Sequence, residues 1–374
     1  MRKAQAAGDT RIEVGLRGRI QIGFPRWEAF RIAPDESRPL GQIRAERGVG
    51  FGRHRVDSGT RVRPRAPARI GGADRILRVI SIRPYRGWDD LRAMQAVCSA
   101  MLLASPGRAV AHPGDIAWWV GWPPCPLERL AETFLLLEDG DEVVGFAATM
   151  HDGSDLSVFI SPALADTEAA VDFEEAALTW ASRGASHVRW VEFEDETAAV
   201  ERWRDRGYRA TDVGYLNLTR ALDDVSHESA GDDRVRPVGD DDVEGRASIT
   251  HAAFGSPKPF AEYAANYATF RASPAYPHGW DLLLRDEDHR AAACCIAWPD
   301  PVSRAGTFEP VATHPELHRR GFGKTLLLGG LRRFAAAGMT YAIVGVDVDN
   351  PGAEALYRSV GFRPDRRLRV YERP

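Results

Sequence analysis

From residue 78 onward the chain alternates between two hydrophobic periods, and it runs through the same order twice. RVISIRPYR has the alternating pattern of a half-buried strand, and WDDLRAMQAVCSAML behind it repeats apolar residues at helical spacing. AETFLLLEDGDEVVGFAATM predicts a hairpin turning at residues 138–142 around an Asp-Gly pair. A strand (DLSVFISP), a helix (DTEAAVDFEEAALTWASRG), a strand (HVRWVEFE) and a short helix (TAAVERWRDRG) follow. YRATDVGYLNLTRAL is expected to close the unit as a pair of strands. After a polar, acidic stretch at 223–233 the order begins again. RVRPV reads as a strand, two helical segments end near Ser273, and a hairpin turns at 286–289. Strand GTFEPVATHP, helix GFGKTLLLGGLRRFAAAG, strand YAIVGVDVDN, helix PGAEALYRSVG and a last basic strand complete it.

The recurrence is countable. Gly184 and Gly207 are 23 residues apart, as are Gly338 and Gly361, so an offset of 154 lays WASRG and RWRDRGY on FAAAG and LYRSVGF. Two divergent copies of one α+β unit, at 78–222 and 234–374, account for this more simply than chance spacing does.

Composition changes the picture mainly at the N-terminus. Through Asp74 there are 16 Lys+Arg against 8 Asp+Glu, a charge of +8, while the whole chain carries −4. Residues 1–77 are Arg-, Gly- and Pro-rich and are expected to be a disordered or non-native extension. RVRPRAPAR could be a nucleic-acid arm, but no aromatic residues interleave with its arginines as base stacking would need, so a nucleic-acid partner is not expected. No run approaches the roughly 20 apolar residues of a membrane helix, and the first thirty residues hold no signal-peptide core. A cytoplasmic chain without a membrane partner is the expectation. Cys98, Cys125, Cys294 and Cys295 form no CxxC pair and join no His cluster, so no metal is expected; buried thiols are the simpler reading. Strand alternation sends the side chains of Cys294 and Cys295 to opposite faces.

Candidate chemistry concentrates in the second copy. His318-Arg319-Arg320-Gly321-Phe322-Gly323-Lys324-Thr325 leaves a strand and opens a helix. Its glycines let the backbone turn and approach a ligand, and the free N–H groups of the helix start favour an anion such as a pyrophosphate. Arg319, Arg320 and Lys324 add positive charge. Alone, a Gly-x-Gly turn of this kind is more often just a turn.

Together with DNPGAEALYRSVGF about 27 residues later, ATHPELHRRGFGKTLL resembles the GNAT superfamily of acyl-CoA-dependent N-acyltransferases. Gly321 and Gly323 fit that family's pyrophosphate loop, and Asn350, Ala353, Tyr357, Gly361 and Phe362 fit its second motif. His318 stands where Gln or Arg is usual. The resemblance covers roughly 234–374, and it implies two tandem GNAT-type domains, each a mixed, mostly antiparallel sheet flanked by helices, with acetyl-CoA as acyl donor. It also implies that Val311 and Thr313 pair with the pantetheine arm, that the Val311 N–H polarises the thioester carbonyl, that Asn350 bonds the pantetheine, and that Tyr357 protonates the departing thiolate. A phenol with an unperturbed pKa near 10 would suit that step. Glu309, just before those residues, is the candidate base, with a solvated or salt-bridged strand carboxylate as the alternative; Pro310 would interrupt pairing there and aim a side chain inward. Asp347 and Asp349 are secondary candidates, with helix capping the expected role of Asp349.

In the first copy the matching helix start, ALADTE at 163–168, has no glycine pair and two carboxylates. Trp203 stands in the place of Tyr357 and Glu196 in that of Asn350. That copy is expected to have no CoA site and to be structural or to wall the substrate cleft. Trp118, Trp119 and Trp122 could line a pocket, with core or inter-domain packing the commoner use. Tyr263, Tyr267 and Phe270 fit either an acceptor site or a helix core stripe. The expected reaction is acyl transfer to a small primary amine; a protein N-terminus or lysine as acceptor, or an acyl-CoA sensor without turnover, are the alternatives.

Overall fold

The computed structural model describes residues 80–107, 110–150, 153–185, 187–225 and 234–374; the N-terminal extension and most of the acidic linker lie outside them. The first half runs β1 (Ile80–Pro84), α1 (Trp88–Ala104), α2 (Pro113–Gly121), α3 (Leu127–Thr133), β2 (Phe134–Asp139), β3 (Glu142–Met150), β4 (Asp155–Ile160), α4 (Glu168–Gly184), β5 (Arg189–Phe193), α5 (Thr197–Asp205) and β6 (Arg209–Ala221). The second half repeats it as β7 (Val235–Pro237), α6 (Val243–Phe254), α7 (Phe260–Arg271), β8 (Asp281–Arg285), β9 (Ala291–Asp300), β10 (Ala305–Thr313), α8 (Phe322–Ala336), β11 (Tyr341–Asp347), α9 (Pro351–Ser359) and β12 (Arg363–Glu372). The α+β character and its repeat match the hydrophobic pattern.

Three elements differ from that pattern, the first being α3, which takes in residues 131–133 at the start of the expected hairpin. YRATDVGYLNLTRAL is one long strand, β6, rather than a strand pair. α2 escaped the periodicity because every residue from Pro113 to Gly121 is buried, which leaves no polar face to mark a helix.

Both halves share one twelve-stranded sheet in the order β1-β2-β3-β4-β5-β12-β6-β11-β10-β9-β8-β7. Its ladders are antiparallel except β4·β5 and β10·β11. The halves exchange their last strands. β6 leaves the first half to pair with β11, and β12 returns to pair with β5, while β6 and β12 pair with each other along the centre. At that seam an added Cβ on Gly214 would lie 2.3 Å from the Leu368 carbonyl oxygen, so only glycine admits the crossing backbone.

One face of the sheet is covered by α1 and α2 together with α7, whose side chains merge into a core reaching from Phe134 and Phe159 to Tyr267 and Trp298. On the other face α8 and α9 cover the second half, and α4 and α5 the first. Trp118 of α2 and Trp122 just after it pack between the halves, whereas Trp119 meets Phe159 within the first half. Trp118 stacks on Trp122 at 5.4 Å, and their rings meet Phe270 and Tyr263 edge-on. Tyr263, Tyr267 and Phe270 are the core stripe of α7.

Candidate active site

β10 and β11 run parallel and pair only at Ala305–Tyr341, Gly306–Ala342 and Thr307–Ile343. Beyond Thr307 they diverge, so half of the backbone N–H and C=O groups along residues 308–313 face a slot instead of a partner strand. Val311 and Thr313 lie along this edge, held from behind by Cys295 and Ala293 of β9. Cys294 and Cys295 do fall on opposite sides of β9, in separate clusters. They and Cys98 are buried, whereas Cys125 is exposed.

The slot leads to the start of α8. Arg319 and Gly321 both adopt left-handed backbone, at φ 64° and 87°, and turn the chain sharply into the helix. The first intrahelical bond there runs from the Thr325 N–H to the Gly321 carbonyl, leaving the N–H groups of Phe322, Gly323 and Lys324 free at the positive end of the helix dipole. Nothing would meet a Cβ on Gly321 within 4 Å, so this end is open, whereas a Cβ on Gly323 would crowd Thr313 Oγ1 at 3.1 Å. Arg319, Arg320 and Lys324 are exposed and make no ion pair among the described residues. Arg320 lies over the Phe322 ring. His318 Nε2 is 2.9 Å from the Thr313 carbonyl, a contact that ties the loop to the strand end.

Across the slot, the Asn350 side chain caps α9 by accepting from the Ala353 N–H at 3.1 Å. Asn350, not Asp349, is thus the cap; the Asp349 N–H donates to Asp347, and both aspartates are exposed. The remaining Asn350 Nδ2 is buried without a partner among the described residues. A buried amide donor is costly unless something accepts from it. A carbonyl of an amide-bearing chain lying in the slot would do so. With the free helix start and its cations, the residues present therefore fit an acyl-CoA.

Glu309 lies in a bulge where the register with β9 slips between Phe308 and Val311. The Trp298 indole N–H donates to the Glu309 carbonyl at 2.7 Å and fixes the bulge. The Glu309 side chain is buried rather than salt-bridged, and burial, then the nearby Asp115, push its pKa well above the usual carboxylate range. Tyr357 is buried on α9 against Phe362. Burial and the charge of Glu309 push its pKa well above 10, so the phenol is held protonated instead of sitting at its ordinary value.

The opposite face of the slot is walled by the first half. The sequence reading did not single out His112, Asp115, Asn217 or Trp298. His112 caps α2 by accepting from the Gly114 N–H through Nδ1, and Asp115 completes a capping box by accepting from the His112 N–H at 2.8 Å. The His-Pro-Gly-Asp spelling of that helix start was the available signal. Burial pushes Asp115 up to about 7 and His112 down to about 4. A cavity of about 10 Å³ lies here, lined by Val110, Ala111, His112, Asp115, Asn217, Thr307, Ile343 and Gly345.

The first half keeps the same fork without the same site. β4 and β5 pair only at Asp155–Arg189 and Leu156–Trp190. Trp203, in the place of Tyr357, stacks on Trp190 at 3.7 Å. Arg366 from β12 lies over Phe193 at 3.9 Å and pairs with Asp195 and with Glu196, the counterpart of Asn350. The helix start before α4 exposes Asp166 and Glu168, which oppose an anion. Among the described residues no group of His, Cys, Asp and Glu is placed to hold a metal, and no helix is long and apolar enough to cross a membrane.

Residues 247–362 match the Acetyltransferase (GNAT) family. That match lies within the second half of the chain. The chain is 28% identical over 265 residues to a protein of Streptomyces avermitilis named mycothiol acetyltransferase, covering 63% of this chain and 78% of that one. A protein of the same name from Clavibacter michiganensis subsp. michiganensis is 34% identical over 92 residues, only 25% of this chain and 29% of its own length. In fold, the chain is similar to a tandem GNAT protein from the clavulanic acid biosynthesis pathway, with a TM-score of 0.51, 15% identity and coverage of 79% and 98% of the two chains.

Proposed function

We propose that the second half transfers an acetyl or other short acyl group from CoA to the primary amine of a small molecule, by direct attack. The observation that carries this reading is the fork of β10 and β11, which ends at an open helix start and is faced by the orphaned Asn350 amide. Backbone groups at Phe322, Gly323 and Lys324, with Arg319, Arg320 and Lys324 around them, would hold the pyrophosphate; residues 308–313 and Asn350 would hold the pantetheine arm. Bound there, the donor supplies an activated thioester carbonyl. Glu309 takes one proton from the incoming ammonium. The freed lone pair forms the N–C bond, the C–S bond breaks with its electron pair on sulfur, and the sulfur takes the Tyr357 proton. The second proton shed by nitrogen as it becomes an amide replaces the one Tyr357 gave, and the first leaves Glu309 for solvent.

A small acceptor is favoured over a protein chain because α2 and its tryptophans cover the face opposite α8, where an extended peptide would need an open cleft. The shared name of the two bacterial relatives, mycothiol acetyltransferase, points the same way. A screen of small amines against acetyl-CoA, following thiol release, tests the reading. Thiol release with at least one primary amine is expected; donor binding with no amine-dependent release across the screen would leave an acyl-CoA sensor.

A further inference from the structure

The second half's slot is finished by residues of the first. Asn217 lies on the exchanged strand β6 directly opposite Gly345 of β11, and its amide, 4% exposed, makes no hydrogen bond among the described residues. It lines the cavity with Thr307 and Ile343, the last pair before the fork opens, and with His112 and Asp115 at the start of α2. His112 is already satisfied through Gly114 and the Ala305 carbonyl, and Thr307 Oγ1 donates to the Ile343 carbonyl. Asp115 commits one oxygen to the His112 N–H. The Asn217 amide and the second Asp115 oxygen are left for a guest; Glu309 lies two residues beyond Thr307 on β10, outside the lining. The cavity, about 10 Å³, holds one water-sized group. An acyl methyl in this place would leave the amide and carboxylate unpaired, whereas an ammonium gives both a donor.

We infer that this cavity is the amine subsite of the acceptor, in which Asp115 of the first half faces the ammonium and Asn217 orients it, with Glu309 of the second half two residues along β10 from the lining Thr307. The subsite rests on the N-acyl transfer proposed above. Its small volume selects an unhindered primary ammonium over more substituted nitrogen. The transfer itself is unchanged: the one proton the ammonium gives up before attack goes to Glu309 and then to solvent.

The test uses the full chain without donor and methylammonium as the probe, with binding read by NMR saturation transfer to its methyl group. A Kd of order 10 mM is expected for so small a ligand. Asp115→Asn and Asn217→Leu should each weaken it tenfold or more, and tetramethylammonium should not bind. Asn217→Leu leaves the α2 cap untouched, so it decides the matter if Asp115→Asn folds poorly. Absence of methylammonium binding, or binding that neither variant changes, overturns the subsite. Dependence of binding on Asp115 and Asn217, with no amine ever releasing thiol from acetyl-CoA, keeps the subsite and removes N-acyl transfer. Amine turnover with wild-type amine KM in both variants does the reverse.

Discussion

The Trp298 indole N–H donates to the carbonyl of Glu309 at 2.7 Å, so a residue of β9 holds the bulge that presents the candidate base. Trp298→Phe keeps a large ring but removes the donor and leaves a buried carbonyl unpaired. We expect a stability loss of about 1–3 kcal/mol and a fall in kcat larger than any change in donor Kd. Chemical denaturation and calorimetry on the same variant check both parts. Unchanged kcat would mean that packing alone sets the bulge.

Tyr357→Phe should separate chemistry from binding. The ring still packs against Phe362, and the cradle at Gly321 and Gly323 is untouched. Acetyl-CoA affinity is expected to hold while turnover falls about 10²–10⁴-fold, the usual loss for a positioned acid. Turnover close to wild type would reduce Tyr357 to a core residue.

Donor binding should be asymmetric. Only the second half has a helix start free of carboxylates, so titration with acetyl-CoA is expected to give one site per chain. Gly323→Glu places a Cβ 3.1 Å from Thr313 Oγ1 and a negative charge in the cradle, and should raise the donor KM before it lowers kcat. A stoichiometry near two would show that the stacked Trp190 and Trp203 do not close the first fork.

Trp118 and Trp122 should couple the stability of the halves. Trp122→Ala removes contacts with Tyr263 and Phe270 of the other half and is expected to cost about 3–5 kcal/mol, as other large-to-small core changes do. Urea unfolding followed by two probes, one in each half, should shift together. If only the first half is weakened, the shared core is not cooperative.

Stability should fall as pH rises through the range set by Asp115. Its carboxyl ionises near 3.8 when unfolded and is pushed up to about 7 by burial when folded. Below about 4 both states are protonated and nothing is lost; between about 4 and 7 only the unfolded state releases the proton, and stability drops; above 7 the loss is constant. Glu309 and Glu192 are raised too and add to the slope. The comparison with Asp115→Asn isolates one group: the variant should show a shallower decline, by on the order of a few kcal/mol. Parallel curves would mean that Asp115 keeps its ordinary pKa in the fold.

What the sequence by itself determined is local. The order of strands and helices, the repeat, and the helix start at His318–Lys324 followed by Asn350 and Tyr357 were legible, because side-chain periodicity, glycine turns and caps are properties of adjacent residues. The same locality hid the rest. A strand forms equal ladders with its own half or the other, so the exchange of β6 and β12 leaves no mark in either strand's pattern; only the packed sheet, with Gly214 against the Leu368 carbonyl, decided it. α2 was invisible because it is buried on all sides. Asp115 and Asn217 stand far from Glu309 in the chain, and they reach the fork only because the first half lies on the second. Their burial, and with it the charge state of Asp115 and Glu309, is a property of the folded sheet and not of any segment of it.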